Sequence, residues 1–193
     1  MKESISLSKK NTGKMTTVAL LTAIGIIIPM ISPIKIAFGP FSWTLGSHIA
    51  IDMALFISPA SAAFVALATS FGFLMAGFPL PVVFRAVSHL LFTLVGAYTL
   101  QRSNQFVLNP WKRTLFNAGI NSLHGLGEMI VIHCFVTAGL TSLDGQYGYW
   151  ASLFILFGVS SLFHGMMDFE LGYLFLKYLN KHLPYKFPRF PIK

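Results

Sequence analysis

Charged residues are scarce in this sequence. Asp, Glu, Lys and Arg together make up 10% of its 193 residues, whereas 54% of the residues are hydrophobic. A soluble domain carries roughly 25% charged residues, because its surface must face water. The shortage excludes an ordinary water-exposed surface and predicts an integral membrane protein.

The chain also lacks the alternation of polar and apolar residues that the strands of a membrane barrel require. Its apolar residues form long continuous runs instead, which are typical of membrane-spanning helices. We therefore predict an all-α membrane protein. Cys134 is the single cysteine, which excludes an intramolecular disulfide. Its place inside an apolar run predicts a small buried side chain.

Motifs for nucleotide binding and hydrolysis are absent as well. There is no G-x-x-x-x-G-K-[ST] segment, because Gly13-Lys14 is followed by Met15 and has no glycine upstream. Neither H-E-x-x-H nor G-x-S-x-G occurs. If this protein moves a solute against its gradient, another subunit must supply the energy.

Acidic residues are few, and basic residues are confined to short segments. The sequence has 6 acidic and 14 basic residues, with a formal net charge of +8. Twelve of the 14 basic residues lie in three segments beside apolar runs. The positive-inside rule explains this placement, and a nucleic-acid-binding patch does not. The three segments contain Lys2, Lys9, Lys10 and Lys14; Arg102, Lys112 and Arg113; and Lys177, Lys181, Lys186, Arg189 and Lys193.

The apolar runs predict a bundle of six transmembrane helices. An even number of spans places both termini and the basic 101–113 loop on the cytoplasmic side. Basic tails at residues 1–14 and 178–193, the second rich in proline, flank a transmembrane domain at 15–177. The second span is short for a hydrocarbon core of about 30 Å. The predicted spans are residues 15–31, 45–57, 60–76, 80–100, 115–140 and 149–176.

Ionisable side chains recur inside these spans, where each one costs about 3 kcal/mol. They share one face on each of four helices, which predicts a polar interior. Trp43, in the first outer loop, is placed to cover an outward-facing pocket whose cation, Arg85, can meet a carboxylate. The outer part of the bundle is predicted to hold Arg85, His48, Asp52 and His133. The deeper part is predicted to hold Glu128, His124, His164 and Asp168.

Structural roles are open for several of these residues. Arg85 and Asp52 could form a buried ion pair, and Trp43 could be an interfacial anchor. Two pairs spaced i,i+4 could hydrogen-bond between helices or hold a metal. These pairs are His124–Glu128 and His164–Asp168.

The first helix carries Ala19-Leu20-Leu21-Thr22-Ala23, whose alanines form a smooth strip for close helix approach. With the chain length, six spans, cytoplasmic ends and long first outer loop, this element resembles the S components of energy-coupling factor (ECF) vitamin transporters. The resemblance covers most of the chain. It implies a vitamin-binding subunit that joins a membrane coupling subunit through Ala19 and Ala23, and that works with two cytoplasmic ATPases. It also implies that this chain is not an enzyme and binds no cofactor, since ATP is hydrolysed by the partner subunits.

Three segments are similar to the niacin type of S component. They are Ile28-Pro29-Met30-Ile31-Ser32-Pro33-Ile34-Lys35, Ser47-His48-Ile49-Ala50-Ile51 and Phe84-Arg85-Ala86-Val87-Ser88-His89. Pantothenate, pyridoxine and hydroxymethylpyrimidine remain alternative substrates.

For a niacin-type site, we expect Arg85 to pair with the substrate carboxylate and Trp43 to close over the apolar part of the vitamin. The other predicted substrate-binding residues are His48, Asp52, His89, His133 and Glu128. No metal site is predicted. Two other classes stay open: a stand-alone secondary transporter, and a metal-dependent membrane enzyme that uses His124, Glu128, His164 and Asp168.

Overall fold

The computed structural model describes residues 2–143, 148–182 and 187–191. Within these ranges the chain forms helices, one antiparallel hairpin and a short 3-10 turn at Gln105–Leu108, which turns and loops connect. The helices are α1 (Lys2–Ile31), α2 (Ile49–Leu55), α3 (Pro59–Met75), α4 (Leu80–Arg102), α5 (Pro110–Thr137) and α6 (Tyr149–His182). The hairpin strands are β1 (Lys35–Phe38) and β2 (Phe41–Thr44).

Proline and small polar residues set the starts of two central helices. Pro59 and Pro110 occupy the first turn of α3 and α5, where the missing N–H costs no hydrogen bond. The side chains of Ser58 and Asn109 each accept a backbone N–H of that first turn at 3.2 Å. The predicted boundary at Ser58-Pro59 is confirmed.

Three helices are long and apolar enough to cross a membrane among the residues described: Asn11–Ile31, Leu80–Arg102 and Tyr149–His182. Helix α3 is apolar but shorter. Helix α2 has only 7 residues, which is about 10 Å of helix. The prediction of a helical membrane protein is confirmed, whereas α2 is shorter than the predicted span at 45–57.

Helix α2 lies at the centre of the bundle. It contacts α1, α3, α4 and α6, and its residues from Ala50 to Leu55 are all buried. The outer faces of the surrounding helices carry exposed large apolar side chains, which suits contact with lipid. Examples are Leu20, Phe64, Phe71, Leu91, Ile130 and Phe163.

Glycines let the helices approach closely. A Cβ atom added at Gly72 on α3 would lie 2.6 Å from the backbone oxygen of Ile26 on α1. A Cβ atom added at Gly125 on α5 would lie 2.7 Å from the backbone oxygen of Gly158 on α6. Such contacts between helix backbones are the usual use of small residues in membrane bundles.

The loop between α1 and α2, predicted to face outward, forms the hairpin. Ile36 pairs with Trp43 in its antiparallel register, and Gly39 takes a positive φ of 53° at the turn. The all-α prediction therefore holds for the bundle but not for this segment.

Cys134 is exposed, so the prediction of a buried thiol is wrong. Residues four apart share one face of a helix, and Ile130, four residues earlier, is 54% exposed. Both side chains lie on the outward face of α5.

Both predicted tails have structure where they are described. Helix α1 begins at Lys2, and α6 continues to His182. Residues 187–191 return to the bundle, because Phe187 and Phe190 are buried in its core and the Arg189 N–H donates to the Phe56 carbonyl at 2.9 Å. The basic residues Lys186 and Lys193, and the 144–147 part of the last outer loop, lie outside the described residues.

Candidate functional site

A buried polar pocket lies under the hairpin, between the start of α2 and the inner faces of α4, α5 and α6. Its cavity volume, counted as the space open to the centre of a water molecule, is about 20 Å³. This is room for about one water. Five predicted site residues line it: Trp43, His48, Arg85, His89 and Glu128.

Arg85 connects the hairpin, which covers the pocket (its roof), to Glu128 of α5 on the opposite side (its floor). On the roof side, its Nη1 donates to the Pro40 carbonyl at 2.9 Å and to the Ser42 hydroxyl at 3.3 Å. On the floor side, its Nη2 donates to Glu128 Oε2 at 2.7 Å. The Arg85 Nε is buried and has no hydrogen-bond partner among the residues described. Arg85 is thus paired with Glu128, and the alternative pairing with Asp52 is wrong.

Glu128 is the point where three helices meet. Its Oε2 also accepts a hydrogen bond from the Ser161 hydroxyl of α6. Its Oε1 lies 3.3 Å from His124 Nε2 on α5 and 3.4 Å from His89 Nε2 on α4. Arg85 was predicted in the outer part of the bundle and Glu128 in the deeper part, and their side chains nevertheless touch. The long arginine side chain spans the difference in height.

Asp168 anchors the turn that follows the hairpin. This fully buried carboxylate of α6 accepts the Gly46 N–H at 2.9 Å and the His48 N–H at 3.0 Å. It also lies 3.1 Å from His48 Nδ1 and 3.7 Å from His164 Nε2. Its negative charge stands at the amino end of α2, where the helix dipole favours it.

Four histidine rings converge around His48. Its ring centroid lies 4.6 Å from those of His89 and His124 and 4.8 Å from that of His164. The His89 and His124 centroids are 4.7 Å apart. In the described part of the chain, each of the four rings has one buried nitrogen without a hydrogen-bond partner. These atoms are His48 Nε2, His89 Nδ1, His124 Nδ1 and His164 Nδ1.

Trp43 covers the pocket from the hairpin. It is half-buried on β2, and its ring centroid lies 4.9 Å from that of His164. This position brings an aromatic face to the pocket in addition to any role at the membrane interface.

Asp52 and His133 do not line the pocket. Asp52 is buried about one helical turn beyond His48, where its Cβ packs beside Gly172 of α6. His133 hydrogen-bonds the Tyr149 hydroxyl at 2.7 Å. It comes five residues after Glu128, which turns it roughly 140° away around α5.

Sequence reasoning missed several polar residues that line the pocket. Ser42, Ser47, Ser161 and His164 all belong to it, although none was predicted to bind substrate. The helical periodicity puts Ser161 and His164 on the same face of α6 as Asp168. This shared face is the sequence signal by which they could have been predicted to line the pocket.

Ala19 and Ala23 lie on an exposed part of α1. They take no part in the pocket lining. Among the described residues, none covers this surface, so a helix of another protein could pack on it.

The fold and the pocket define a helical membrane protein that encloses a polar site beneath a hairpin. Comparison with curated proteins finds the Niacin transporter NiaX of Lactococcus lactis subsp. cremoris (strain MG1363), which is 36% identical over 177 residues. The match covers 91% of this chain and 78% of that protein. The chain therefore belongs to the niacin-type S components of ECF transporters. No family model matches the chain, and no solved structure matches it.

Proposed function

We propose that this protein is the substrate-binding S component of an ECF-type transporter that takes up niacin. The similarity to a niacin transporter over most of the chain carries the proposal. It favours niacin over pantothenate, pyridoxine and hydroxymethylpyrimidine, and it favours transport over the metal-dependent enzyme. A buried arginine in an enclosed pocket supports it independently, because niacin carries a carboxylate.

The proposed binding mode uses the pocket residues. The guanidinium of Arg85 is planar and matches a carboxylate, and its unpartnered Nε–H provides a donor. Trp43 would cover the pyridine ring, while His48 and His89 provide polar atoms for its nitrogen. Since Glu128 already holds Arg85 at 2.7 Å, the substrate carboxylate must share the guanidinium with Glu128 or displace it. We restrict the proposed contacts to these five residues and leave Asp52 and His133 out.

We also propose six spans with both termini in the cytoplasm of a bacterium. The Asn104 side chain donates to the Arg189 carbonyl at 2.9 Å, which brings the 101–113 loop and the C-terminal segment to one end of the bundle. Both are basic, as cytoplasmic segments are.

The proposed partners are a membrane coupling subunit and two cytoplasmic ATPases. The exposed Ala19 and Ala23 would pack on the coupling subunit, since small residues permit close helix contact. The missing ATP-binding motif agrees with an ATPase on separate chains.

Binding and uptake of labelled nicotinic acid test this function. Purified protein should bind it alone, with the three other vitamins as competitors, whereas cells should accumulate it only when the coupling subunit and ATPases are present. Ala19→Trp should retain binding and lose uptake. Leu91→Trp, on the exposed face of α4, is the control and should retain both.

Absence of nicotinic acid binding would refute the niacin assignment. Uptake by the chain alone in liposomes would support a secondary transporter instead. Normal uptake by Ala19→Trp would show that the coupling surface lies elsewhere.

A further inference from the structure

We propose that His48, His89, His124 and Glu128 form a binding site for a zinc-like divalent transition-metal ion in the wall of the pocket. One ring nitrogen of each histidine lies within 4.8 Å of those of the other two. All four residues are buried, with at most 4% of their surface exposed. His48, His89 and His124 come from separate elements of the fold, and the sequence predicted no metal site among them.

The shared oxygen of Glu128 gives the site its spacing. Its Oε1 lies 3.4 Å from His89 Nε2 and 3.3 Å from His124 Nε2. Hydrogen bonds between a charged nitrogen donor and a carboxylate are shorter, at about 2.7–2.9 Å. Neighbouring ligand atoms around a tetrahedral zinc ion, with bonds of about 2.0–2.1 Å, are about 3.3 Å apart. These two contacts therefore have the spacing of a coordination shell.

His48 is held in the orientation of a metal ligand. Its Nδ1 lies 3.1 Å from Asp168 Oδ2, so the nitrogen left available is Nε2. That atom is buried and has no partner among the described residues. A carboxylate on one nitrogen and a metal on the other is the usual arrangement at histidine-rich metal sites.

The charges of the interior favour a cation. Glu128 and Asp168 are buried carboxylates, whereas Arg85 is the one buried Lys or Arg side chain among the described residues. Arg85 binds Oε2 of Glu128, which leaves Oε1 for an ion. Three imidazoles and one carboxylate are donors that zinc accepts, while calcium and magnesium prefer oxygen ligands throughout.

Titration of the chelator-treated protein in detergent with Co²⁺ and Zn²⁺ alone tests the site. We expect one ion per chain, visible absorption of four-coordinate Co²⁺, loss of that absorption when Zn²⁺ is added, and a higher unfolding temperature with metal. His48→Ala, His89→Ala and His124→Ala should each weaken binding more than about 100-fold. Asp168→Asn, which weakens the support of His48 Nδ1 without removing a proposed ligand, should weaken it about 10–100-fold.

His133→Ala is the matched control, because His133 hydrogen-bonds Tyr149 outside the cluster. This variant should bind metal as tightly as the unaltered protein does. Metal binding that survives all three histidine substitutions would overturn the proposal. If those variants fail to fold, the measurements on the unaltered protein decide. The absence of both four-coordinate Co²⁺ absorption and thermal stabilisation in that protein would also overturn the proposed metal site. The titration contains no vitamin, so its result is independent of the proposed niacin binding.

Discussion

At the scale of the residue, Arg85 connects the two sides of the pocket. Its guanidinium contacts the Pro40 carbonyl in the hairpin and Glu128 in α5, and it lies 4.8 Å above the Phe157 ring of α6. A buried cation held from three sides is already oriented when a carboxylate ligand arrives. Binding then avoids much of the cost of ordering the side chain.

We predict that Arg85→Ala weakens nicotinic acid binding by tenfold or more. Loss of a hydrogen bond to a charged group costs about 2 kcal/mol, and 1.4 kcal/mol corresponds to about tenfold in affinity. Isothermal titration calorimetry on purified protein measures the change.

Arg113→Ala is the control for this measurement. Arg113 pairs with Glu170 at 3.1 Å and stacks on Tyr173, and it does not line the pocket. Equal affinity of the Arg85 and Arg113 variants would remove Arg85 from the binding site.

Pocket residues were predicted correctly where they are ionisable, because an ionisable side chain inside a membrane span is costly and therefore noticeable in the sequence. Arg85, His48, His89 and Glu128 were selected on that basis, and all four line the pocket. The serines Ser42, Ser47 and Ser161 could not be selected, because serine is common in membrane helices and loops. Asp52 and His133 were placed in the pocket wrongly, because the sequence does not give the rotation of each helix relative to its neighbours.

At the scale of the element, apolar runs and prolines predicted the long helices well. The hairpin was not predicted, since each strand has only 4 residues and its Gly39-Pro40 turn is typical of a loop. The length of α2 was overestimated because this helix is surrounded by protein. It does not have to match the thickness of the bilayer.

We predict that Gly72→Ala lowers the unfolding temperature by several degrees. The new Cβ would meet the backbone oxygen of Ile26 at 2.6 Å, and neither backbone can move without separating α1 from α3. Overpacking of this kind costs about 1–3 kcal/mol. Thermal unfolding of the purified protein in detergent measures it.

Gly119→Ala serves as the comparison, because nothing lies within 4 Å of a Cβ at Gly119 on α5. Alanine favours a helix over glycine by about 1 kcal/mol, so this variant should be as stable as the unaltered protein or slightly more stable. If both variants unfold at the same temperature, the close contact of α1 and α3 does not limit stability.

At the scale of the whole molecule, charge and contacts agree on one end of the bundle. The 101–113 loop and the segment 187–191 meet through Asn104 and Arg189. The hairpin follows the carboxyl end of α1, and Lys35 is the basic residue that it exposes. From the positive-inside rule we propose that the Asn104 end faces the cytoplasm.

We predict that a membrane-impermeant thiol reagent labels intact cells at Lys35→Cys and not at Ser103→Cys. Both positions are exposed, so accessibility depends on which side of the membrane they face. The variants are made with Cys134→Ser, so that the introduced cysteine is the single one in the sequence.

Permeabilised cells provide the control, because Ser103→Cys should then react. Labelling of Ser103→Cys in intact cells would reverse the proposed orientation.

The attachment of the hairpin to Asp168 has a consequence for the rates of ligand exchange. Because the pocket holds about one water molecule, a vitamin can enter or leave only while the hairpin is displaced. The hydrogen bonds from Gly46 and His48 to Asp168 fix one stem of the hairpin, so displacement must pivot there. We therefore expect the rate of ligand release to depend on how often the hairpin moves away from the pocket.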